Sequence, residues 1–95
     1  MAAAQFFAFE ALTVSSTSLG FTSATYAAAD YAHIYVDTAD IRFRLDGGTA
    51  STSNGIPSGV HDEIILENAA EIAGFRAIRD GGTDSTLVAH FGKRT

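Results

Sequence analysis

The feature that most constrains the fold is the run Asp40-Ile41-Arg42-Phe43-Arg44-Leu45-Asp46-Gly47-Gly48-Thr49. Apolar and charged residues alternate at period two and the pattern stops at a glycine pair, which describes a half-buried antiparallel strand entering a sharp turn. Ile41, Phe43 and Leu45 are expected to face a core, with Arg42 and Arg44 outside it.

The same rhythm recurs along the chain. Residues 5–15 read as a first strand, with Phe7, Phe9, Ala11 and Thr13 on one side and Phe6, Ala8, Glu10, Leu12 and Val14 on the other. Both sides are largely apolar, so the strand is either sandwiched in the core or offers Phe6, Phe7 and Phe9 as an arm that packs on another subunit. A short return strand follows at 19–22. Residues 23–30 are read as a loop with at most one helical turn, because alanine favours a helix that is here too short to stand alone.

In residues 31–37, Ala32, Ile34 and Val36 point one way and Tyr31, His33, Tyr35 and Asp37 the other. Thr38 and Ala39 make a tight connection, so this strand is expected to form a hairpin with the central one. His33, Tyr35, Arg42 and Arg44 would then cluster on its outer face.

Residues 46–59 hold glycine, serine, threonine, asparagine and the only proline, and read as a long loop. Residues 61–67 form a strand with Ile64 and Leu66 on one face and Ile65 on the other. Residues 68–72 are expected to cross between sheets, Ile72 plugging the end of the core. Residues 74–80 direct Phe75 and Ala77 inward and Arg76 and Ile78 outward. Gly81-Gly82 reverses the chain into a last strand at 83–91 with Leu87, Ala89 and Phe91 on one side. Seven short strands in this rhythm predict an all-β fold, a single antiparallel two-sheet β-sandwich of immunoglobulin-like or jelly-roll-like type.

Ninety-five residues make one domain, 1–95, with an apolar arm at 1–9 and a short basic tail at 92–95. Cysteine is absent, which rules out disulfides and thiolate chemistry. A formal charge of −5 repels polyanions, so nucleic acid is not expected as a partner. The apolar start lacks a basic leader and soon meets Glu10, fitting neither a signal peptide nor a membrane span, and the chain reads as a soluble protein made in the cytoplasm.

His33, His61 and His90 lack paired ligand spacing, and no Gly-x-Ser-x-Gly elbow is present; no catalytic residue, metal or cofactor is expected. The many aspartates at strand ends read as caps of backbone amides, with a calcium site shared by two loops as the minor alternative. Arg42, Arg44, Arg76 and Arg79 fall on two strands. If those strands are neighbours, their guanidinium groups either pair with local carboxylates or grip acidic groups of a protein partner.

Residues 40–47, the Ile64-Ile65-Leu66 strand, Phe75-Arg76-Ala77-Ile78-Arg79-Asp80-Gly81-Gly82 and the opening Ala11-Leu12-Thr13-Val14-Ser15-Ser16 together resemble a group of small proteins of tailed bacteriophages and prophages. That resemblance covers nearly the whole chain. Residues 40–91 are also similar to the immunoglobulin-like module appended to chitobiase-type glycosidases, although Gly48-Thr49-Ala50-Ser51 departs from both patterns.

The phage resemblance implies a non-enzymatic virion protein, a capsid decoration or cement protein on the outside of the head. It would bind the major capsid protein and itself, as a homotrimer, and neither nucleic acid nor membrane. Phe6, Phe7 and Phe9 would be apolar anchors, with Tyr35, Arg42, Arg44 and Arg76 at a polar rim. The alternatives are a tail or head–tail component, or a carbohydrate-binding or adhesion module stacking sugars on Tyr26, Tyr31 or Tyr35, which the lack of tryptophan weakens.

Overall fold

The structure, a computed structural model, describes residues 4–94. It is a β-sandwich of seven strands in two antiparallel sheets. The strands are β1 (Ala4–Val14), β2 (Tyr31–Val36), β3 (Ile41–Arg44), β4 (Ile56–Ser58), β5 (Glu63–Leu66), β6 (Arg76–Arg79) and β7 (Ser85–Arg94), with two short helices, α1 (Ser23–Tyr26) and α2 (Ala69–Gly74). One sheet has the order β1-β7-β2-β5 and the other β4-β3-β6.

Alternation does what the sequence requires of it. Ala32, Ile34 and Val36 of β2, Ile64 and Leu66 of β5, and Leu87, Ala89 and Phe91 of β7 turn to one interior. They meet Ile41 and Phe43 of β3 and Ala77 of β6 from the other sheet. Aromatic rings bridge the layers: Phe43 stacks on Phe75 (5.5 Å), Phe75 on Phe21 (5.2 Å), and Phe21 meets Phe91 edge-on (5.2 Å). Ile72 of α2, 1 % exposed, closes the end of the core as expected.

The expected hairpin does not form. β2 lies between β7 and β5, whereas β3 lies between β4 and β6. The four residues between them cross from sheet to sheet, held where the Asp37 amide donates to the Thr86 carbonyl (2.9 Å) and the Asp80 amide to the Asp40 carbonyl (3.0 Å). Alternation marks a buried face in each strand but says nothing about whether the two faces share a sheet or oppose each other across the core.

Three other expectations change. The 19–22 strand reduces to one bridge, Leu19 to Ala77. The 46–59 loop contains β4, a three-residue edge strand with Pro57 opposite Arg42, a position where a missing amide is tolerated. Gly92, Lys93 and Arg94 are no free tail; they continue β7 and pair with the start of β1. Residues 1–3 of the expected arm and Thr95 lie outside the described residues.

Candidate functional site

β1 is the outermost strand of its sheet, paired with β7, so it is not sandwiched in the core, and Phe6, Phe7 and Phe9 stand exposed on a strand of the sheet. Its register jumps between Phe6 and Ala8, a bulge at Phe7. The extra residue reverses the side-chain parity on one side of the kink. Phe6, assigned by simple alternation to the face opposite Phe9, therefore joins it: Phe6 pairs with Gly92 and Phe9 with His90, both on the outer side of the sheet.

The outcome is an aromatic surface. Phe6, Phe7 and Phe9 are 46 %, 51 % and 55 % exposed. The His90 ring sits between two of them, 6.0 Å from Phe6 and 5.2 Å from Phe9, and Phe6 also reaches Tyr31 at 5.9 Å. Directly opposite His90 on β2 is His33, and Tyr35 is opposite Val88. Exposed Ile65 of β5 extends the face beside His33. A shallow concavity of about 490 Å³ is lined by His33, Tyr35, Asp37, Glu63, Val88 and His90, and it abuts a second, of about 290 Å³, lined by Phe6, Phe7, Ala8, Phe9 and the same His90.

Polar contacts hold this face in shape. His33 Nε2 is bonded to Glu63 Oε1, and Tyr35 shares a 2.6 Å hydrogen bond with His61 Nδ1. His61 has a left-handed backbone (φ 73°), a conformation that costs a non-glycine residue roughly 1–3 kcal/mol unless its surroundings hold it. Here they do: its amide donates to the Val36 carbonyl (2.6 Å), and the flanking turn is clamped by Gly59 N–H donating to Asp62 Oδ2 (2.7 Å) and Val60 N–H to Asp40 Oδ1 (2.9 Å). All three histidines, distant in sequence, thus come to one sheet face, yet among the described residues no group of three or more His, Cys, Asp or Glu is placed to hold a metal ion.

The arginines occupy the opposite sheet. β3 and β6 are neighbours, with Arg44 directly across from Arg76 and Arg42 across from Ile78. Tyr35 is therefore on the other side of the molecule from Arg42 and Arg44, and the expected single cluster divides into an aromatic face and a basic one.

Local carboxylates answer most of the basic face. Arg44 grips Asp46 with two bonds, Nε to Oδ1 at 3.0 Å and Nη2 to Oδ2 at 2.5 Å, and donates from Nη1 to the Thr49 carbonyl. That grip, with the Gly48 amide donating to Oδ1, holds the Asp46 carboxyl down at about 2 and raises the Arg44 guanidinium above its ordinary value. Arg42 donates from Nη1 to the Gly55 carbonyl (3.0 Å) and keeps Nε 3.3 Å from Asp80 Oδ2, an ion pair whose alignment falls short of a hydrogen bond. Arg79 pairs with Asp84 (2.5 Å). Arg76 has no carboxylate partner among the described residues.

The sequence points to Phe6, Phe7, Phe9 and Tyr35 but not to His90, Val88 and Ile65. Their outward parity on β7 and β5 was available; which strands lie side by side was not. No protein-family model matches the chain, and no curated protein or solved structure matches it either. No helix among the described residues is long and apolar enough to cross a membrane.

Proposed function

We propose that this chain is a non-enzymatic virion protein of a tailed bacteriophage, a decoration or cement protein that binds the major capsid protein on the outside of the head. What supports the phage assignment is the resemblance of the 40–47 and 75–82 strands to small phage proteins. The observation that carries a binding role is the aromatic face on which exposed Phe6, Phe9 and His90 stand beside half-buried Tyr31 and Tyr35. A small soluble domain keeps a contiguous apolar surface of this kind where another macromolecule covers it. Aromatic side chains with a polar tip, as on Tyr35 and His90, are the residue types that anchor such contacts.

In this reading the protein stabilises the head by mass action, because it binds a site completed only in the assembled lattice. Phe6 and Phe9 insert between capsid subunits, while Arg76, on the opposite sheet, stays outside that contact. Cosedimentation of the purified protein with expanded capsids tests this. Retention by the wild type and loss in a Phe6→Ser, Phe9→Ser double variant are expected; equal pelleting of both would reject the aromatic face as the anchor.

The competing reading is a carbohydrate-binding module. Tyr31 and Tyr35 lie on the same face beside a concavity with His33 and Glu63. Glycan binding by the isolated chain, abolished by Tyr35→Ala, would favour it over the capsid.

A further inference from the structure

We propose that β1 is the seam of a two-fold dimer, its free edge pairing antiparallel with β1 of a second copy of this chain to join two four-stranded sheets into one of eight. The four sheet edges differ in how they are protected. An exposed edge offers a row of unpaired amides and carbonyls, and folded proteins protect it by brevity, charge, proline or a covering segment.

Three of the edges are protected. β4 is three residues long and contains Pro57. β6 is met by Leu19, whose amide and carbonyl both bond Ala77 (3.0 and 2.8 Å). β5 has four residues and is bracketed by Glu63 and Glu67, so two such edges would oppose like charges.

β1 has none of these devices over most of its length. It runs for 11 residues with one charge, Glu10, and that carboxylate is turned to accept from the Thr22 amide (3.0 Å) and hydroxyl (3.0 Å). The bulge at Phe7 sits near one end and leaves Ala8–Val14 in unbroken register with β7. Among the described residues, no backbone hydrogen bond outside the β1–β7 ladder involves β1.

A second copy suits this edge better than a foreign strand. An antiparallel β1 pair is self-complementary, so one contact covers both open edges. The enlarged sheet is then bounded by two acid-guarded β5 strands, and growth stops at two. The net charge of −5 per chain opposes association through ordinary surface, whereas the seam contributes almost no charge to that repulsion. Pairing also places the Phe6 and Phe9 clusters of both copies on one continuous face, Phe9, Ala11 and Thr13 sharing its side of β1. This symmetry differs from the homotrimer that the phage resemblance implies.

Sedimentation equilibrium of the purified full chain, with no capsid present, tests the seam separately from capsid binding. The expected species has twice the 9.9 kDa chain mass. Ala11→Lys and Thr13→Lys, both at exposed positions, bring like charges from the two copies close together along the seam and weaken the dimer by roughly tenfold. Should either variant fail to fold, hydrogen exchange of the wild type still decides: β1 amides become protected as protein concentration rises. A monomer at all soluble concentrations, a trimeric mass, lysine variants that associate like the wild type, or β1 exchange independent of concentration would each overturn the proposal.

Discussion

Ser85 and Ala39 exchange two hydrogen bonds across the molecule: the Ser85 hydroxyl donates to the Ala39 carbonyl at 2.6 Å and accepts from the Ala39 amide at 3.2 Å. Ser85 opens β7 and is 1 % exposed, and Ala39 lies in the crossover between β2 and β3. One hydroxyl thereby supplies both backbone partners that the crossover loses by not being a hairpin. Ser85→Ala leaves a part-buried N–H and C=O without partners, and a loss of about 1–3 kcal/mol is expected. Urea unfolding at neutral pH measures it, and an unchanged midpoint would show that water replaces the hydroxyl.

The Arg44–Asp46 fork gives a pH dependence with a definite sign. Asp46 has its carboxyl lowered from the usual 3.8 to about 2, first by the Arg44 hydrogen bonds and then by the Gly48 amide. A carboxylate depressed in the folded state contributes stability that is fully present above its unfolded value and is lost as pH falls through the folded one. The contribution therefore disappears between about pH 4 and pH 2. Carboxyl-carbon NMR titration should place the Asp46 midpoint near 2 in the wild type, and Arg44→Gln should move it up toward the ordinary range. A midpoint that Arg44→Gln does not move would exclude the guanidinium as the main cause.

Gly74 ends α2 where the chain passes close under the turn after β3. A methyl group there would collide with the Leu45 carbonyl oxygen and lie 3.1 Å from the Gly47 nitrogen. Both obstacles are backbone, and the Gly47 amide is already committed to the Gly74 carbonyl at 2.9 Å. Gly74→Ala is expected to destabilise by about 3 kcal/mol through overpacking. Gly82→Ala, which meets nothing within 4 Å, should be close to neutral. Thermal melts of the pair separate crowding from any general effect of losing a glycine.

Why was part of the molecule readable in the chain and part not? Faces were legible because a buried strand face writes itself as alternation: Ile41 and Phe43, Ile64 and Leu66, Leu87 and Ala89 all point inward as that pattern demands. Neighbours were not, since β2 can show the same alternation whether it pairs with β3 or packs across from it. α2 does leave a signal in the sequence. Asn68 accepts from the Glu71 amide (2.8 Å) while Glu71 accepts from the Glu67 amide (2.8 Å), close to the reciprocal bonding that an Asn-x-x-Glu start predicts. The aromatic face was half legible. Its phenylalanines stand in an obvious cluster, but the bulge that brings Phe6 to the same side as Phe9, and the pairing that sets His90 between them, depend on β7, some eighty residues away along the chain.

Phe9 and Phe91 put the division between folding and binding to a direct test. Both belong to the β1–β7 pair, yet Phe91 is 0 % exposed and touches Phe21 and Tyr26, whereas Phe9 is 55 % exposed and touches His90. Phe91→Ala empties a packed site and should cost about 3–5 kcal/mol. Phe9→Ala removes a ring mostly in water already, and a change within about 0.5 kcal/mol is expected. Chemical denaturation measures both. Binding should run the other way, since Phe9→Ala takes an anchor from the exposed face while leaving the core intact. If Phe9→Ala unfolds the protein as readily as Phe91→Ala, the phenylalanines of β1 serve the fold first, and their exposure no longer argues for a partner.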